Sequence, residues 1–169
     1  MYKILFILFF YGAALAAEVE PLQPLSTSRS APAFNFPDMD GMPHTLEDYA
    51  GQVLVVNFWA TWCPPCVREL PALDRLQQQL AADGVVVLGV NFGETAEDID
   101  TFLQRVVDID FTLLLDPTMN AGTEWGVRGL PTTYIIDDHG QILFEVLGDK
   151  HWDDPVIVEQ IRAVAESVN

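Results

Sequence analysis

Residues 53–70 read VLVVNFWATWCPPCVREL. The first six, VLVVNF (53–58), form a short β-branched apolar run and predict a buried strand. A helix follows at once. Val67, Leu70, Leu73, Leu76 and Leu80 recur three or four apart, with Arg68, Asp74, Arg75 and the Gln77–Gln79 run between them. Pro71 predicts a kink in that helix, and Gly84 its end. The two cysteines of the chain, Cys63 and Cys66, fall where the strand hands over to the helix.

The pattern continues downstream. VVVLGVNF (85–92) predicts a second buried strand. Thr95 with Asp98 caps a helix whose inner face carries Ile99, Phe102, Leu103, Val106 and Val107. FTLLL (111–115) reads as a strand, and DPTMNAGTEWG as a turn with a short helix. TTYIID and QILFEVL flank DHG and predict an antiparallel hairpin. Asp153 or Asp154 caps a last helix with Pro155 in its first turn and Ile157, Ile161, Val164, Ala165 and Val168 facing inward. Upstream, alternating Phe34 and Phe36 and the Asp40-Gly41 turn signal predict a small hairpin, and Thr45 with Asp48 a short helical turn. Strands joined through helices pair in parallel, and a tight hairpin pairs antiparallel. The expectation is an α/β domain over 33–169: a three-layer sandwich, a mixed sheet with helices on both faces and an N-terminal β-hairpin.

A chain of 169 residues fits one such domain with extensions. Lys3, the apolar run Ile4–Ala16 and the small residues Ala14-Leu15-Ala16 have the layout of a secretory signal peptide over 1–16. The run is shorter than the ~20 residues of a spanning helix, so an uncleaved anchor is the alternative. Residues 17–32, rich in Pro and Ser, read as a flexible leader. A formal net charge of −17 argues against nucleic acid and against anionic lipid as partners.

One disulfide closing two residues removes little loop entropy, so a structural staple explains the cysteines poorly. A four-ligand zinc site would need further Cys or well-spaced His near the pair. A redox couple remains. Free N–H groups and the dipole at a helix start stabilise an anion and lower the pKa of a thiol there. Cys63 is therefore expected to be the exposed nucleophile and Cys66, one turn in, the resolving thiol. Pro64 and Pro65 cost the first turn little and stiffen the ring. Glu69 lies three residues beyond Cys66 on the same side of the helix. It reads either as the acceptor of the Cys66 proton or as an ordinary solvent-facing carboxylate.

VVNFWATWCPPCVRELPAL, GVRGLPTTYIID and the glycine of EVLG resemble the thioredoxin superfamily, and within it the exported TlpA/ResA-like thiol-disulfide oxidoreductases. The resemblance runs from Ala33 to about the C-terminus and implies a protein-disulfide reductase working through the Cys63–Cys66 couple without a further cofactor. It implies that Pro131 is a cis-proline beside the thiols and that the backbone of Leu130 pairs with an extended substrate. Gly148 lets that substrate approach, Trp62 and Trp59 are the aromatic residues around the thiols, and Glu69 is the acidic residue that follows the motif. It also implies protein disulfide substrates, a membrane-bound thiol electron donor, a monomer, and a periplasmic location with cytochrome c maturation as one route served. Two positions depart from the pattern. Asn57 stands where thioredoxins bury an Asp, and Thr132 stands where the cytochrome-maturation members carry Glu.

Other readings share some of these features. Peroxide reduction wants Thr three residues before the reactive cysteine, and Ala60 is there instead. An oxidase or isomerase of disulfide formation has the same thiols at a different redox poise. A Cu(I) metallochaperone could use the two thiols, with Met39, Met42 and His44 as further soft or imidazole ligands. His139 and His151 read as surface turn residues, and Trp125 and Trp152 as packing.

Overall fold

The computed structural model describes residues 19–106 and 108–167. The signal-peptide reading over 1–16, and the inward faces expected for Val107 and Val168, lie outside the described residues. Among the described residues, eight strands and four α-helices follow one another as β1 (Pro24–Ser30), β2 (Asn35–Pro37), β3 (Pro43–Thr45), β4 (Val53–Trp59), α1 (Pro64–Leu80), β5 (Val85–Phe92), α2 (Ala96–Val106), β6 (Thr112–Asp116), α3 (Asn120–Trp125), β7 (Thr132–Ile136), β8 (Gln141–Leu147) and α4 (Pro155–Glu166). No helix among the described residues is long and apolar enough to cross a membrane.

The main sheet has the order β1-β8-β7-β4-β5-β6. Strands β4, β5 and β6 run parallel, whereas β7 and β8 form the antiparallel hairpin beside β4. This is the mixed sheet expected from the sequence. Strand β4 is central and buried along its whole length. Its residues alternate between two cores. Val55 and Trp59 join Leu70, Leu73 and Leu76 of α1, Ile99 of α2 and Ile157 and Ile161 of α4. Leu54, Val56 and Phe58 join Phe34 of the hairpin, Trp125 of α3 and Tyr134. The second core is aromatic, with ring centroids 5.4 Å apart both for Phe58–Trp125 and for Trp125–Tyr134. The β2–β3 hairpin sits beside β6, where Asp38 bridges Leu114.

Local chemistry explains the joints. Asp48 accepts from both the backbone N–H and the hydroxyl of Thr45, fixing the short turn Leu46–Tyr49. Thr95 and Asp98 make the corresponding cap of α2. Helix α1 continues through Pro71 as one element, and a 3-10 turn then ends at Gly84, whose φ of +78° suits glycine.

The leader differs from expectation. Residues 24–30 form β1, which pairs antiparallel with β8 at the sheet edge. Leu22 is only 3% exposed, and its backbone N–H and C=O are both bound by the Gln160 side chain at 2.8 and 3.1 Å. Arg29 lies 5.4 Å from the Tyr134 ring and donates to the Trp125 carbonyl. An edge strand with one solvated side needs no apolar run, so the polar composition that suggested flexibility is compatible with pairing. Leu22→Ala should therefore cost about 2–3 kcal/mol in urea unfolding of the oxidised protein. An unchanged midpoint would mean that the segment is loosely held.

Candidate active site

Cys63 and Cys66 form a disulfide with an S–S distance of 2.05 Å at the start of α1. Strand β4 ends at Trp59, and the short loop 60–63 delivers Cys63 as the helix N-cap, with Pro64 and Pro65 in the first turn. The backbone N–H of Cys66 points at Cys63 Sγ, 3.3 Å away. That donor and the helix dipole are placed to stabilise negative charge on Cys63 once the disulfide opens. Cys63 keeps 5% exposure and Cys66 none. Cys63, expected to be exposed, is thus nearly buried, and it is the more accessible of the two sulfurs.

The loop before Cys63 is tethered by a residue that sequence reading missed. Glu94, just past β5, accepts from the Thr61 backbone N–H at 2.8 Å, from the Thr61 hydroxyl, and from Asn91 Nδ2 at 2.8 Å. Beside the disulfide lies a groove of about 580 Å³ whose walls include Trp62, Cys63, Phe92, Met119, Val127 and Leu130. Trp62 is 63% exposed at its rim. The Leu130–Pro131 peptide bond is cis. Pro131 leads into β7, whose Thr132 pairs with Phe58 at the end of β4. Gly148 donates its N–H to the Pro131 carbonyl at 2.9 Å and has a φ of +91°, a conformation that favours glycine. The structure thus gathers Cys63, Cys66, Trp62, Leu130, Pro131 and Gly148 at one end of the sheet. Trp59 is fully buried in the core beneath them.

Glu69 is not a solvent-facing carboxylate. It is 2% exposed and lies on the inward side of α1 with Cys66, Leu70 and Leu73. Asn57 Nδ2 donates to Oε1 at 2.8 Å, while Trp152 Nε1 at 2.8 Å and the Lys150 backbone N–H at 3.1 Å donate to Oε2. Burial pushes its pKa up to about 7, the three hydrogen bonds hold it back, and nearby Asp149 adds to the rise. Trp152, read from sequence as packing, is fully buried and also a hydrogen-bond partner. A buried indole N–H seeks an acceptor, but the partner lies 83 residues away in the chain and no spacing rule connects them.

The hairpin residues do not converge as a soft-metal site. Both ring nitrogens of His44 are engaged, with Tyr49 Oη at 2.7 Å and Asp38 Oδ2 at 3.1 Å. Met42 is 62% exposed and Met39 packs against the core.

The AhpC/TSA family model matches residues 27–144. The thiol-disulfide oxidoreductase ResA of Geobacillus thermodenitrificans is 34% identical over 130 residues, 77% of this chain and 74% of the relative. The thiol:disulfide interchange protein DsbE of Allochromatium vinosum is 37% identical over 159 residues, 93% of this chain and 84% of the relative. Among solved structures, a candidate thiol:disulfide interchange protein DsbE from Chlorobium tepidum superposes with a TM-score of 0.76 at 33% identity. It covers 83% of this chain and 99% of its own. These neighbours share the thioredoxin-like fold described above.

The buried carboxyl makes stability depend on pH. Folding raises the Glu69 pKa from the ordinary 4.5 to about 7, so the native state keeps a proton that the unfolded chain releases between those values. The contribution is complete below the lower value and is lost as pH rises through the upper one, a loss of about 3 kcal/mol. Urea unfolding of the oxidised protein across this range should show that decline in the parent, and Glu69→Gln should remove it. Parallel profiles would mean that Glu69 titrates as in the unfolded chain.

Proposed function

The chain belongs to the AhpC/TSA family and is a thiol-disulfide oxidoreductase, and on that premise we propose that it is a reductase of disulfides in exported proteins. The observation that carries this reading is a helix-start Cys63–Cys66 disulfide beside a groove walled by Leu130, the residue before cis-Pro131, with a buried carboxyl group one turn beyond the inner sulfur.

In the reduced protein the Cys63 thiolate attacks one sulfur of a substrate disulfide. A Cys63–substrate disulfide forms and the other substrate sulfur leaves as a thiolate. Glu69 takes the Cys66 proton, directly or through water, and Cys66 attacks Cys63 Sγ. The Cys63–Cys66 disulfide forms and the second substrate sulfur leaves. Two electrons pass from the protein to the substrate, and a dithiol donor restores the couple by the reverse exchange. Leu130 and Gly148, on either side of Pro131, take the extended substrate backbone, and Trp62 covers its side chains.

The reductive direction is supported by electrostatics. Strong thiol oxidants stabilise the thiolate of their reduced form. Here a carboxylate one turn from Cys66 opposes thiolate charge and favours giving electrons away. Export through a signal peptide over 1–16 and regeneration by a membrane-bound thiol donor complete the reading. So does action as a monomer, with cytochrome c maturation among the routes served.

Cys63→Ser should abolish reduction of a model disulfide while the fold survives. Cys66→Ser should accumulate partners as mixed disulfides on Cys63, visible on non-reducing gels, and full turnover by either variant would sink the scheme. Glu69→Gln should slow the resolving step by roughly ten- to a hundredfold in stopped-flow reduction and change the first attack much less. Equal effects on both steps would assign Glu69 a general structural part instead.

A further inference from the structure

Four parts of the fold meet at Glu69. Helix α1 carries it, β4 supplies Asn57, β7 supplies Thr133, and the loop between β8 and α4 supplies Lys150 and Trp152. The partners of its two oxygens are N–H donors: Asn57 Nδ2, Trp152 Nε1 and the Lys150 backbone N–H. Asn57 is fully buried, and its second N–H goes to Thr133 Oγ1 at 2.9 Å. Its Oδ1 is buried without a partner. That orphan acceptor shows what fixes the amide. Turned over, it would set Oδ1 against the carboxylate oxygen and leave two buried N–H groups unpaired.

A protonated Glu69 would bring an O–H into a ring of donors. Of the three groups that bind it, only Asn57 carries an acceptor, Oδ1, available through that costly turn of the amide. The three donors therefore favour the carboxylate and work against the burial that favours the acid. An Asp in place of Asn57 would reverse this, because it offers acceptors to a protonated neighbour. We propose that Asn57 and Trp152 are positioning residues for the thiol-disulfide exchange. Their N–H groups favour the ionised form of Glu69 and fix it in one orientation, one helical turn beyond Cys66, so that it can take the Cys66 proton. This rests on the reading of Glu69 as the proton acceptor.

The loop that carries Trp152 is anchored independently, because Gly148 donates to the Pro131 carbonyl. Other charges nearby do not supply the same hold. Asp149 repels the Glu69 carboxylate and pairs with Arg68 at 3.0 Å, and Lys150 reaches Glu69 through its backbone. Cys66 shares the inward side of α1 with Glu69 and gains a proton only when the disulfide opens.

The test is a carboxyl titration. Protein labelled with carbon-13 at the glutamate side-chain carboxyl is followed by NMR against pH, with Glu69→Gln identifying the Glu69 signal. Trp152→Phe keeps an aromatic ring and deletes the N–H. Asn57→Asp replaces the donor with a second carboxyl. Both should move the Glu69 titration upward by about one pH unit or more. The acid limb of the resolving-step rate should move with it. Parent-like titration in both variants overturns the proposal, whatever happens to their stability. A shifted titration with an unshifted rate profile overturns any part for these residues in the exchange. If Glu69→Gln is equally silent in that case, the fault lies with Glu69 as proton acceptor. If Glu69→Gln slows resolution, the fault lies with the two donors.

Discussion

The hydrogen bond from Asn57 to Glu69 joins the central strand to the helix that starts at the reactive cysteine. A carboxylate that is 2% exposed is tolerated only when its lone pairs are met, and desolvation would otherwise neutralise it. That requirement reaches across the molecule. It places an amide on β4, an indole in the β8–α4 loop and a backbone N–H at Lys150, all converging on α1. The elements that frame the dithiol are thus locked together by a group that sits beneath it.

The same arrangement divides the work between the two sulfurs. The outer one meets the helix N-terminus and the groove, where negative charge is welcome. The inner one is sealed and lies a turn from a base whose pKa of about 7 suits proton transfer near neutrality. One end of one helix therefore offers opposite electrostatic settings within a single turn. The exchange needs this asymmetry, because one thiol must be ready before the substrate arrives and the other only after it is bound.

The β-α-β path, the late hairpin and the seating of the two cysteines at a helix start were legible because they rest on local periodicity and on helix-end chemistry. Strand β1 was not. Its polar sequence carries no alternation, and its existence depends on the free edge of β8, which no window of residues 24–30 contains. Burial of Glu69 left a usable trace: counted along the helix, Glu69 falls in step with Ala72, Leu73, Leu76 and Leu80, all inward-facing. Its charge hid the pattern. The Trp152 partnership and the Glu94 tether join distant segments through side chains, so only the folded arrangement reveals them.

The first described strand also sets a direction for the molecule. Pro24 pairs with Phe144 at the middle of β8, and Leu22 shares a shallow surface recess with Leu147 and Lys150. Residue 147 adjoins Gly148, which touches cis-Pro131. The described chain therefore starts beside the β8 end that leads to Gly148 and cis-Pro131. Residues 20–23 are thus packed on the Gly148 side of the domain, where they line the recess with Leu147 and Lys150.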